Sequence, residues 1–397
     1  MNPVDNPYAP GAGTPPPELA GRDELLETVR VAIERIRRGN PAKSLLMVGL
    51  RGVGKTVLLE AMRERAEAAG VHTVRIEAPE GRSLPAMLAP QLRVALLRLS
   101  RLEKAKNAAQ RGLRALAGFA KALKVKFGDI EVGLDLDPEP GLADNADLEQ
   151  DLATLLETVG EAAARAGTAL VLFVDELQYV DEPQLAALIT ALHRCAQRKL
   201  PITLVGAGLP QLRGRMGHAK SYAERLFDLP EVGALPEQAA REAIAKPARE
   251  QDVEFEPAAL QEIIETTHRY PYFLQEWGKH CWDIAERSPI RLRDAVRASH
   301  EATAALDESF FRVRFDRLTP TEKRYLRAMA DLGPGPHRSG DIADRLDRTV
   351  TSLAPVRSAL IAKGMVWSPS HGDTAFTVPL FDQFMRRIIP GDDWKRA

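Results

Sequence analysis

Cysteine is scarce in this chain: Cys195 and Cys281 are the only two among 397 residues. So few thiols, so far apart, supply neither a metal knuckle nor a disulfide framework, which suits a reducing cytoplasm. Long apolar runs are missing too. No window offers about 18 uninterrupted apolar residues, so no membrane-spanning helix and no membrane partner are expected. The N-terminus lacks the basic-then-apolar order of a signal peptide. Excess charge of either sign is also lacking, because 54 Lys and Arg are set against 55 Asp and Glu, so any basic surface has to be local. What remains is a soluble cytoplasmic protein of two or three domains, since domains usually run about 100 to 200 residues.

Against these absences, one stretch carries chemistry. Ser44 to Thr56 reads SLLMVGLRGVGKT, a short apolar strand, a glycine-rich turn and the first turn of a helix that continues through Val57, Leu58, Leu59 and Met62. Gly49, Leu50, Arg51, Gly52, Val53, Gly54, Lys55 and Thr56 fit the phosphate-loop pattern GxxxxGK[ST]. Glycines let the backbone wrap a phosphate and turn its N–H groups inward, while the helix N-terminus adds partial positive charge. Lys55 then reaches the β- and γ-phosphates, and Thr56 ligates Mg²⁺. ATP and Mg²⁺ are the cofactors this implies.

The partner motif lies at residues 169 to 180, ALVLFVDELQYV. Consecutive apolar residues before Asp175 describe a strand buried on both faces, as in a parallel sheet covered by helices. Asp175 stands at its carboxyl end, where open α/β sheets place ligands. There Asp175 holds the metal through water, and Glu176 orients and deprotonates the attacking water. Gln178 adds a polar group at the rim.

Elsewhere the chain divides by composition. Residues 1–17 are rich in Pro, Gly and Asn and are expected to be a flexible leader. A helix follows, with Leu25, Val29, Ile33 and Ile36 at helical spacing up to Gly39-Asn40-Pro41. Val71 to Glu77 alternates as a second strand. Residues 85 to 126 read as a basic amphipathic helix with the apolar stripe Leu92, Leu96, Leu99, Leu102, Leu113, Leu116, Phe119 and Leu123. Such a helix can bind nucleic acid or a membrane surface. The acidic stretch after it, which opens as a hairpin around Gly128-Asp129, favours charge balance inside the domain. The next strand, Ile202 to Val205, ends in Gly206-Ala207-Gly208.

Pro17 to Glu24, the helix after it, the Asn-Pro loop and the phosphate loop together resemble the start of AAA+ ATPases, in the archaeal origin-initiator (Orc/Cdc-like) and STAND-like branch. The resemblance implies an AAA+ type α/β P-loop NTPase at 18–234, with an insertion at about 84–145, a helical lid at 235–316 and a winged helix-turn-helix at 317–397. It implies that Leu19 and Arg22 lie with the phosphate loop and Val57 around the nucleotide. It implies also that Arg225, with Arg215 as runner-up, acts as an arginine finger in a nucleotide-dependent homo-oligomer. Thr203 stands early for a γ-phosphate sensor, and Tyr272 occupies the place of the lid's arginine, so slow hydrolysis is expected.

The carboxyl unit also reads directly from the residues. Thr319-Pro320 is an N-cap followed by a proline at N1, three short helices follow, and MVWSPSHGDTAFTV supplies two wing strands. Along its last helix Leu353, Val356 and Leu360 share an inward face, which leaves Arg348, Thr351, Ser352 and Arg357 to meet duplex DNA. The function expected is an ATP-driven switch on DNA or a nucleoprotein assembly. A STAND-like signalling ATPase, whose winged helix contacts proteins, is the alternative. A metabolic kinase is a weaker third reading.

Overall fold

The computed structural model describes residues 1–11, 13–123, 137–391 and 394. Five strands make one sheet: β1 (Ser44–Val48), β2 (His72–Glu77), β3 (Leu170–Asp175), β4 (Ile202–Gly208) and β5 (Phe227–Asp228), in the order β2-β3-β4-β1-β5. Every pairing is parallel. The central strands are apolar at consecutive positions because both faces are covered. In β3, Val171 and Phe173 pack with α1 (Asp23–Arg37) and α2 (Lys55–Ala68). Leu170, Leu172 and Val174 point the other way, into α3 (Leu84–Ser100), α4 (Lys106–Ala122), α5 (Leu148–Ala166) and α6 (Glu182–Gln197). Two short helices, α7 (Leu212–Ala219) and α8 (Ala223–Leu226), lead to the edge strand β5.

The region read as an insertion is thus a layer of this core. It is two helices where one was expected, with Leu102 in the break and 44% exposed. Arg111 pairs with Glu139 and Glu161, and Arg114 with Glu139, so these basic residues meet acids of the same unit. The expected hairpin around Gly128-Asp129 lies outside the described residues.

Beyond the sheet come the lid helices α9 (Glu237–Arg249), α10 (Pro257–Thr266), α11 (Pro271–Ile284) and α12 (Leu292–Leu306). A π turn at Asp307–Phe311 carries α12 into α13 (Arg312–Phe315). The winged helix unit holds α14 (Pro320–Leu332), β6 (His337–Arg338), α15 (Ser339–Arg345), α16 (Val350–Ala362), β7 (Val366–Trp367), β8 (Asp373–Phe376) and α17 (Phe381–Ile388). Its strands form an antiparallel sheet in the order β6-β8-β7. Thr319 and Glu322 close a capping box at the start of α14, which satisfies two of the helix's first N–H groups. The lid and this unit share one apolar core; Phe311 stacks on Phe384 at 5.3 Å between centroids.

In this fold the leader packs against the lid. Tyr8 is buried, packs on Gly278 so closely that no Cβ fits there, and donates its hydroxyl to the Ile244 carbonyl. The Asn6 amide donates to the Lys279 carbonyl at 3.1 Å and to Asp283 at 2.8 Å. One aromatic anchor and a few directed hydrogen bonds hold a segment whose composition alone cannot form a core. Among the described residues no helix is long and apolar enough to cross a membrane.

Candidate nucleotide site

The carboxyl end of β1 delivers the phosphate loop, and the loop's glycines answer to particular neighbours. A Cβ on Gly49 would meet the Val232 carbonyl oxygen at 2.1 Å. Gly54 has φ +87°, the left-handed conformation that starts α2, and glycine adopts it without strain. Lys55 is buried, and its ammonium donates to the carbonyls of Gly49 at 2.9 Å and Leu50 at 2.8 Å. Burial, outweighing the attraction of Glu176 and Asp175, lowers its pKa to about 8.

Across the loop, the Thr56 hydroxyl donates to Asp175 Oδ2 at 2.6 Å, and the Glu176 N–H donates to Oδ1 of the same carboxylate at 2.8 Å. Burial raises the Asp175 pKa from its ordinary value, with the Thr56 hydrogen bond opposing it. A hydroxyl and a carboxylate in contact beside a phosphate loop are the oxygen donors Mg²⁺ takes, by direct or water-mediated ligation. These residues therefore fit the metal, which when bound neutralises phosphate charge.

Glu176 sits just after β3 with φ +54°, in left-handed backbone. That rare conformation for a non-glycine residue turns its side chain back to the cavity. The Gln178 amide donates to it, while the Gln178 carbonyl oxygen accepts the Leu209 N–H at 3.0 Å. Gln178, expected at the rim, is in fact 2% exposed. It bridges the ends of β3 and β4 and holds the Glu176 carboxylate.

Arg51 to Val57, Leu19, Arg22 and Glu176 line one cavity of about 310 Å³, a volume within the range of small-ligand clefts. Gly49 and Leu50 lie behind it and present their carbonyls to Lys55. The leader contributes Pro10, Gly11, Gly13 and Thr14, the lid Tyr272 and Gln275, and the helix beyond it Phe310 and Arg314. Sequence reasoning missed the leader's part and both residues of that helix. Thr203 is far from this chemistry, its hydroxyl paired with that of Ser44 at 3.1 Å in the buried strand layer.

Arg225 is exposed on α8 and is not among the residues lining the cavity. Arg215 is spent on the carbonyls of Gln178 and Val180, so it braces the loop after β3 and is not free to act as a finger.

In the winged helix unit Arg348, Thr351 and Ser352 are exposed at the start of α16. Arg357 departs from expectation: its Nε donates to the Thr374 hydroxyl at 2.7 Å, and its Nη2 donates to the Ser368 hydroxyl and the Asp373 carbonyl, each at 2.8 Å. Its fork fastens α16 to the wing, because β8 approaches on the side that helical spacing alone leaves open.

Comparison with known proteins agrees with this geometry. The family model "AAA ATPase domain" matches residues 18–205. A second, "Domain of unknown function (DUF8462)", matches residues 308–385. No curated protein matches. Among solved structures, the Walker-type ATPase PABY2304 of Pyrococcus abyssi is 17% identical over 92% of this chain and 95% of its own, with a TM-score of 0.55. The Thermotoga maritima RuvB Holliday junction branch migration motor is 16% identical over 90% and 92%, with a TM-score of 0.43. The Aeropyrum pernix Orc1 protein in complex with DNA is 15% identical over 93% of each chain, with a TM-score of 0.45. At such identities the likeness is one of fold alone. The segment that resembles the AAA ATPase domain carries both the phosphate loop and the Asp175-Glu176 strand end, and the fold is that of an AAA+ type P-loop NTPase followed by a helical lid and a winged helix unit.

Proposed function

We propose that this protein is an ATP- and Mg²⁺-binding switch that hydrolyses ATP and reports its nucleotide state through the position of its winged helix. The observation that carries this is the joint placement of Lys55, Thr56, Asp175 and Glu176 with a winged helix unit that touches the same loop: the Arg51 N–H donates to the Thr377 carbonyl at 3.0 Å. Lys55 counters phosphate charge, Thr56 and Asp175 supply the metal's oxygen donors, and Glu176, oriented by Gln178, accepts the proton of the attacking water. Lys55→Ala is expected to abolish nucleotide binding. Glu176→Gln is expected to keep binding and lose turnover, since only a transition-state role is deleted. Equal steady-state ATPase rates for wild type and Glu176→Gln would sink the assignment of the base.

Duplex DNA is the partner proposed for the unit, met by Arg348, Thr351 and Ser352. The spent side chain of Arg357 favours a second reading, in which the docked winged helix answers to a protein partner, as in STAND-like signalling ATPases. Filter binding of duplex DNA with and without ATP separates the two. A nucleotide-dependent assembly in which Arg225 enters the cavity of a neighbouring copy belongs to the proposal as well. ATPase activity per molecule that stays constant on dilution would remove it.

A further inference from the structure

Arg314 is a half-buried cation. Its Nη1 donates to the Phe310 carbonyl one turn back, its guanidinium stands 4.1 Å from the centre of the Phe310 ring, and among the described residues no Asp or Glu pairs with it. Burial, reinforced by the nearby Arg51 cation, lowers its pKa to about 10. A guanidinium partly withdrawn from water and set near a second cation lacks the anion that would offset its desolvation.

The cavity shows where that anion belongs. Arg314 lines it together with Arg51, Gly52, Lys55 and Glu176. The Phe310 ring stacks on Tyr272, with centroids 4.9 Å apart and planes 26° from parallel, and the Tyr272 N–H donates to the Gly52 carbonyl at 3.1 Å. Two stacked rings thus connect Arg314 to the outer lip of the phosphate loop. Arg51, whose charge Arg314 feels, lies 3.8 Å from the Glu176 carboxylate. Arg314 therefore belongs to the end of the cavity where the catalytic carboxylate stands.

Its helix is fastened to the winged helix unit. The π turn at Asp307–Phe311 adds a residue to the helical repeat just before Arg314, a distortion found frequently at functional sites. Asp307 in that turn takes both arms of Arg387 in α17, at 2.6 and 2.7 Å, and Phe311 stacks on Phe384. A pull on Arg314 is a pull on this unit.

We propose that Arg314 grips the terminal phosphate of a bound nucleoside triphosphate in cis, so that the triphosphate, and not the diphosphate, fixes the winged helix unit against the phosphate loop. This rests on the reading of the cavity as a nucleotide site and adds what discriminates between nucleotides.

The test compares full-length wild type, Arg314→Gln and Arg314→Lys for affinity to a fluorescent non-hydrolysable ATP analogue and to the matching ADP, at fixed Mg²⁺. Arg314→Gln is expected to weaken the triphosphate about tenfold to a hundredfold, the range for a hydrogen bond to a charged group, and to leave the diphosphate within about twofold. Arg314→Lys should keep part of the preference, because a point charge replaces a planar fork; it serves as the test variant if Arg314→Gln does not fold. In wild type the triphosphate should protect the winged helix from proteolysis more than the diphosphate does, and this difference should vanish in Arg314→Gln. Equal losses for both nucleotides, or an unchanged preference with binding intact, would overturn the inference alone. A wild type that binds neither nucleotide would overturn the reading of the cavity, and the inference with it.

Discussion

The backbone N–H of Arg51 in the phosphate loop donates to the carbonyl of Thr377 in the winged helix unit at 3.0 Å. The next residue, Gly52, gives its carbonyl to Tyr272 of the lid. Two consecutive residues of the loop are therefore held by two other parts of the chain, so a shift of the loop backbone would disturb both hydrogen bonds. Gly364 closes the contact. It has φ +64°, and a Cβ there would meet Arg51 Nη2 at 3.0 Å, Tyr179 Oη at 3.2 Å and Leu209 Cδ1 at 3.2 Å.

Gly364→Val should loosen that docking, since it adds a branched side chain where backbone strain and three neighbours oppose it; for a residue forced into left-handed backbone the cost is about 1 to 2 kcal/mol before any clash. Hydrogen exchange is expected to rise at residues 49–54 and 364–378 together. Protection unchanged in both segments would show that the two units do not lean on one another at this glycine.

The lowered pKa of Lys55 sets a pH dependence. In the unfolded chain this lysine titrates near about 10.4, whereas in the folded, nucleotide-free protein it does so at about 8. Between those values the unfolded chain holds more protons, so this group's contribution to stability rises with pH from about 8 to about 10. Phosphate oxygens near the ammonium restore its charge, so nucleotide binding should weaken above pH 8 and take up a fraction of a proton there. The Arg314 guanidinium stays mostly charged at pH 8.5 with a pKa of about 10. Binding enthalpies measured at pH 8.5 in two buffers of different ionisation heat check this. No difference between buffers would reject a half-titrated Lys55.

What was legible in the sequence follows the range of the interactions involved. The phosphate loop and the end of β3 are local patterns, in which motif residues and flanking apolar runs fix both the element and its place. The leader's packing was not legible because its Pro-Gly-rich composition shows no periodicity, while Tyr8 is held by a lid more than 200 residues away. Arg314 escaped notice because its partners are set by packing across units, and the π turn shifts its helical face. Strands β5 and β6, two residues each, are too short for alternation to register.

The leader's anchor yields a stability prediction. Tyr8→Ala removes a buried ring packed on Gly278 and should cost about 3 kcal/mol or more, as large-to-small changes of buried aromatics do. Because Pro10 to Thr14 include residues lining the cavity, nucleotide affinity should fall in the same variant. Thermal unfolding and nucleotide titration measure the two effects. A stable variant with unchanged affinity would make the leader a passive cover.

If the winged helix meets duplex DNA, the exposed start of α16 must carry base and phosphate contacts, because Arg357 gives its guanidinium to Thr374, Ser368 and Asp373. Arg348→Ala should then weaken binding and make it less steeply salt-dependent if the side chain meets a phosphate, or cost about 1 to 3 kcal/mol at one base position if it meets a base. Arg357→Ala should act differently: it frees two hydroxyls and a carbonyl on the wing, lowers the stability of the unit, and reaches DNA affinity only through that loss. Salt titrations of duplex binding at a temperature where both variants are folded distinguish the two roles. Loss of affinity in Arg357→Ala without loss of stability would restore it as a reader. No binding at low salt with either nucleotide would leave the start of α16 to a protein partner.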